Sequence, residues 1–106
     1  MFFRSKYESI SPSEAKKRLD SGEDVTLLDV RTPGEHAQRH IPGSILIPVD
    51  EIRQKAEKNL TDKAKPVFVY CLSGARSAQA ASQLSSLGYT KVYNLGGIMN
   101  WPYGTK

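Results

Sequence analysis

The chain has 106 residues, 39% of them hydrophobic and 25% charged, which gives room for one compact domain spanning 1–106 and too little for two. Its single cysteine excludes an internal disulfide, a C-x-x-C redox pair and a zinc site built on several thiolates. The net charge of +4 comes from lysines and arginines scattered from Arg4 to Lys106, a mildly basic surface that suits small anions and not a nucleic-acid-binding stripe.

The opening stretch, MFFRSKYESI, holds two phenylalanines but no apolar run of signal-peptide or membrane-spanning length, so a soluble cytoplasmic protein with no membrane partner is expected. ISPSEAKKRLDSG reads as a helix. Ser11 is placed to cap it, Pro12 to occupy its first turn, Glu14 to complete the cap and Gly22 to stop it. VTLLDV is a short, nearly continuous apolar run of the kind buried in parallel sheets. TPGEHAQR repeats the capping pattern with Thr32, Pro33 and Glu35, and predicts a short helical turn that HIPG then breaks. SILIP reads as a strand, VDEIRQKAEKNL as a helix, and KPVFVYC as the most strand-like segment of the chain. After Cys71, residues Ala78, Ala81, Leu84 and Leu87 recur at spacings that line one helix face. Gly88 ends that helix, and KVYNL supplies a last strand before Gly96 and Gly97. Strand and helix alternate without repeats, low-complexity tracts or linkers, which predicts an α/β domain on a parallel sheet.

In such sheets ligands collect beyond the carboxyl ends of the strands. Three of these ends carry unusual residues, Asp29 with Arg31, Cys71 with its loop, and Gly96 with Gly97, and they are expected to share one edge. From Cys71 the chain passes through Leu72, Ser73, Gly74 and Ala75 to Arg76, mostly small residues in a sharp strand-to-helix turn. Successive backbone N–H groups in such a turn can point inward as an anion-binding cup, and Ser77 with the following helix adds its amino-terminal dipole. A thiolate there is stabilised by the amides and by the Arg76 guanidinium. Cysteines at helix starts titrate about 1 to 5 units below the free value of about 8.5, so the sulfur is expected to be ionised at neutral pH. A lone cysteine is more often a small buried hydrophobe, but that role needs neither the glycine nor the arginine at these spacings.

Three blocks then carry a family resemblance. LLDVRTPGEHAQRHIPGSILIP resembles the D-V-R, E, H-I-P-G-A-x-x-I-P block of the single-domain rhodaneses, the thiosulfate sulfurtransferase-like proteins. CLSGARS resembles their C-x-x-G-x-R-S loop, and LGGIMNW their closing G-G-x-x-x-W. The resemblance covers nearly the whole chain and implies a rhodanese-like α/β fold, with a central, mostly parallel sheet of about five strands flanked by helices on both faces. It implies Cys71 as the sulfur-carrying nucleophile, and Arg76 with the loop amides of Leu72, Ser73, Gly74, Ala75 and Ser77 as binders of the donor anion. Asp29, Arg31 and Glu35 would support the site without taking part in the chemistry. The implied reaction passes a sulfane sulfur from a small anion such as thiosulfate, or from a persulfide, onto Cys71 and then to cyanide or an external thiol, on a small molecule or a protein. It calls for no cofactor and no metal. With no second cysteine, the acceptor must come from outside.

Two departures from the family pattern stand out. Arg39 precedes His40 where glycine is usual, so a different turn into HIPG is expected; and only five residues follow Trp101, so carboxyl-terminal closure is expected to be thin or supplied by another molecule.

Cysteine phosphatases and arsenate reductases use a similar loop, but with the arginine six residues after the cysteine and usually a histidine before it. Here Arg76 comes five after Cys71, and Tyr70 precedes it. A second alternative is a binding module that keeps the fold without catalysis, whose usual mark is a replaced cysteine. His36 and His40 stand four apart, a spacing that suits a metal pair on a helix, but IPG follows at once and both are expected to be surface or turn residues. Trp101 is expected to pack the carboxyl terminus onto the core, and Glu51, Arg53, Lys55, Glu57 and Lys58 to form a solvated helix face.

Overall fold

The computed structural model describes residues 7–106. The segment Met1–Lys6, on which much of the signal-peptide expectation rested, lies outside the described residues. The core begins with Val67–Cys71, a β-branched and aromatic run buried at every position, which forms the central strand. In chain order the elements are β1 (Tyr7–Ser9), α1 (Pro12–Asp20), β2 (Thr26–Asp29), α2 (Pro33–Gln38), β3 (Ile45–Leu46), α3 (Ile52–Asn59), β4 (Val67–Cys71), α4 (Ala75–Ser86) and β5 (Val92–Gly97). The strands lie in the order β1-β5-β4-β2-β3, and every pairing is parallel.

Alternation along β4 divides the core. Val67, Val69 and Cys71 join Leu28 and Val30 against Ile52 and Ala56 of α3 and Ala80, Ala81 and Leu84 of α4. Phe68 and Tyr70 join Leu27 against Ala15 of α1, with Ile41, Leu95 and Trp101. Helices therefore cover both faces, as expected for a parallel sheet whose inner strands β2 and β4 are nearly continuous apolar runs. Each large side chain buried this way contributes about 1.5–3 kcal/mol.

The helix starts follow the sequence closely. Ser11 Oγ accepts from Glu14 N at 3.1 Å. At α2 the capping box is complete, with Glu35 N donating to Thr32 Oγ1 at 3.2 Å and Thr32 N donating to Glu35 Oε1 at 2.9 Å. Other expectations shift. The buried face of α4 is Ser77, Ala80, Ala81 and Leu84, with Ala78 and Leu87 only half-buried, because the helix starts at Ala75 and turns Ser77 toward the sulfur. The helix expected from Val49 opens with a 3-10 turn, Val49–Glu51. β1, which no sequence signal announced, adds an edge strand of three residues beside β5. Among the described residues no helix is long and apolar enough to cross a membrane.

Candidate active site

The register places the three expected strand ends side by side: Asp29 pairs with Tyr70 across β2 and β4, and Cys71 with Gly97 across β4 and β5. A bulge in β5 prepares this edge. Val69 pairs with Asn94 and Tyr70 with Gly96, so Leu95 is the extra residue, and Gly96 takes a left-handed φ of +92°. Gly97 lets the loop after Cys71 lie flat on β5, since a Cβ there would fall 2.8 Å from Ser73 Cα and collide with the Leu72 carbonyl. Gly74, at φ +117°, makes the turn into α4.

Cys71 is 1% exposed, with its sulfur on the floor of this loop. Gly74 N donates to Sγ at 3.0 Å, and Ser77 Oγ lies 3.5 Å from it. Burial pushes the thiol up, but hydrogen bonding with the Ser77 hydroxyl and with the amides of Ser77, Gly74 and Ser73 outweighs it and brings the pKa below its ordinary value. Ser77 Oγ also lies 2.7 Å from Asn94 Oδ1, which accepts from Gly96 N at 3.0 Å and so ties the cup to the bulge. Leu72, Ser73 and Ala75 are exposed.

The Arg76 guanidinium, expected to stabilise the thiolate and bind the donor anion, is paired with a carboxylate. Its Nη1 and Nη2 donate to Glu35 Oε1 and Oε2 at 2.8 and 3.0 Å. This fork, reinforced by Thr32 N and outweighing partial burial, holds Glu35 at about 2. Arg76 is raised chiefly by Glu35 and, at longer range, by the charge of Cys71.

Asp29 and Arg31 form a buried pair beneath the site, joined by the Tyr70 hydroxyl at 3.1 Å. His36 and His40, expected to be surface or turn residues, are both half-buried. His36 Nδ1 reaches Asp29 Oδ2 at 2.9 Å, and its ring stacks on His40 with centroids 4.0 Å apart. Among the described residues no group of three or more His, Cys, Asp or Glu side chains could hold a metal ion. Arg39 fits without glycine, because its backbone is extended at φ −167° and its carbonyl accepts from Arg31 Nη2 at 2.6 Å. Nor is the segment after Trp101 loose: Trp101 packs into the core, and Lys106 and His40 exchange a pair of backbone hydrogen bonds at 2.8 Å.

Asn94, the Tyr70 hydroxyl and His36 went unidentified as site residues. Asn94 carried a usable signal, a polar residue in an apolar strand just before the paired glycines.

The family model for the rhodanese-like domain matches residues 11–102. A protein named sulfurtransferase from Allochromatium vinosum is 42% identical over 93 residues, spanning 87% of this chain and 85% of its own. The thiosulfate sulfurtransferase PspE of Escherichia coli is 42% identical over 71 residues, 67% of this chain and 68% of that protein. The crystal structure of a rhodanese-related protein from Thermoplasma volcanium superposes with a TM-score of 0.80 at 35% identity, covering 94% of this chain and 98% of that one.

Proposed function

Since the chain belongs to the rhodanese-like domain family, we propose that it is a sulfurtransferase carrying sulfane sulfur as a Cys71 persulfide. The observation that carries this reading is the sulfur itself, a buried thiol that accepts the Gly74 N–H at 3.0 Å and whose pKa is lowered in spite of burial.

The Cys71 thiolate attacks the outer sulfur of a donor such as thiosulfate. The donor S–S bond breaks, sulfite leaves with the electron pair, and a Cys71 persulfide forms. The amides of Ser73, Gly74 and Ser77 are positioned to receive the persulfide anion, as they receive the thiolate. An acceptor thiolate or cyanide then takes the terminal sulfur and returns Cys71 to its thiolate. No group beyond these is needed to balance the electrons. The five-residue step from Cys71 to Arg76 supports sulfur over phosphorus, because a tetrahedral oxyanion needs a longer loop to encircle it.

Intact mass tests the proposal. With excess thiosulfate and no acceptor, the protein should gain one sulfur atom, lose it again on adding cyanide or a thiol, and show no gain as Cys71→Ser. A mass that stays at its starting value with thiosulfate and with persulfide donors would point instead to a binding module.

A further inference from the structure

The Arg76 guanidinium, the natural handle for an anionic donor, is already occupied. Its planar fork matches one carboxylate in bidentate fashion, and Glu35 takes both prongs from 41 residues away. Glu35 is also held in place, since its Oε1 accepts from Thr32 N at 2.9 Å and from Thr32 Oγ1 at 3.1 Å. The pair lies at the protein surface, with 32% of the Arg76 and 27% of the Glu35 side chain exposed, and Arg76 feels the charge of Cys71. The second guanidinium of this edge, Arg31, is matched in the same way by Asp29. The rim beside the loop is apolar: Leu72 is 39% and Met99 68% exposed, and Met99 N donates to the Leu72 carbonyl at 3.4 Å.

We propose that Glu35 is a specificity-determining residue that competes with the donor for Arg76, disfavouring dianionic thiosulfate relative to organic sulfane donors of lower charge. This rests on the sulfurtransferase reading. A dianion must share or displace the Glu35 carboxylate. An alkanethiosulfonate has an alkyl group where thiosulfate has its third oxygen and carries one negative charge fewer. It meets less of that competition and sets its alkyl group toward Leu72 and Met99. The chemistry is otherwise the same: Cys71 takes the outer sulfur and an alkanesulfinate leaves in place of sulfite.

Glu35→Gln isolates the charge, because glutamine serves a capping box as glutamate does and the helix start is kept. With one acceptor thiol, kcat and KM are measured for thiosulfate and for methanethiosulfonate. The KM for thiosulfate should fall about two- to fivefold, the range of a partly exposed ion pair, with kcat little changed, while methanethiosulfonate responds less. A thiosulfate KM that rises, or an equal change for both donors, would overturn the proposal and reduce Glu35 to an aligner of Arg76, with sulfur transfer intact. A wild-type protein that turns over neither donor and gains no sulfur mass from either would remove the sulfurtransferase reading, and this proposal with it.

Discussion

Asp29 and Arg31 clasp each other at the end of β2: Arg31 Nε donates to Oδ1 at 2.9 Å and Nη2 to Oδ2 at 2.8 Å, with both side chains buried. Arg31 N adds a third bond to Oδ1 at 2.9 Å, and the carboxylate is finished by Tyr70 and His36. Burial alone raises the pKa of Asp29, but the hydrogen bonds from Arg31 and His36 outweigh it and leave the carboxyl below its ordinary range. Removing one partner of such a pair leaves a buried charge uncompensated. Asp29→Asn should therefore cost about 3–5 kcal/mol in urea unfolding, and adding Arg31→Met should restore part of the loss.

Acid should reveal the same pair. Because the folded state depresses Asp29 and Glu35, the unfolded chain binds protons first as pH falls. Their stabilisation is complete above the unfolded values of about 4 and is lost as the pH falls toward the folded ones. Stability followed by circular dichroism should decline from about pH 5 toward pH 2, and Asp29→Asn should flatten that slope.

Ser77 supplies the largest of the hydrogen-bond contributions that lower the Cys71 pKa. Ser77→Ala should move the pH midpoint of alkylation or sulfur loading upward, slowing the reaction at neutral pH and sparing it at alkaline pH. An unmoved midpoint would assign the lowering to the backbone amides alone.

Arg76→Ala removes the proposed donor handle and leaves the Glu35 carboxylate without its cationic partner. Thiosulfate kcat/KM should drop about ten- to hundredfold, as for the loss of a charged hydrogen-bonding group, with a smaller loss for methanethiosulfonate. Arg76→Lys should recover only part, because an ammonium keeps the charge and lacks the fork. Equal losses for both donors would make Arg76 structural.

Gly97→Ala would drive a methyl into the Leu72 and Ser73 backbone, which flexible side chains cannot relieve. A cost of about 1–3 kcal/mol and slowed sulfur loading are expected. Gly34→Ala is the control, because its Cβ meets nothing within 4 Å and α2 should gain slightly from losing a glycine. Calorimetry of the two proteins separates them.

Much of this was legible in residue order because it is local. The Ser11 and Thr32 caps, the buried β2 and β4 runs and the turn at Gly74 each depend on neighbours a few positions away. What escaped depends on strand order. Glu35 meets Arg76, and Tyr70 meets Asp29, only because β4 lies directly beside β2, and both pairs are 41 residues apart in sequence. Asn94 becomes a site residue because its Oδ1 bridges Ser77 Oγ and the amide of Gly96 in the bulge that follows it. β1 is too short to show a period, with Tyr7 partly buried against the core and Ile10, just beyond the strand, inside it. Helix periodicity found Ala81 and Leu84 in the α4 stripe but missed Ser77 and Ala80, because the first turn serves the sulfur before it serves the core.

One oxygen, Glu35 Oε1, both caps α2 and grips Arg76. Thermodynamic reciprocity then binds the two duties: whatever an anion at Arg76 does to the order of α2, the order of α2 does in equal measure to the affinity for that anion. Were an anion to bind Arg76 as proposed, amide exchange at Thr32 would gauge its occupancy without chemistry at the sulfur. A substitution that merely frays α2 would retune which donor is favoured, so selectivity here can drift through changes that never touch the loop.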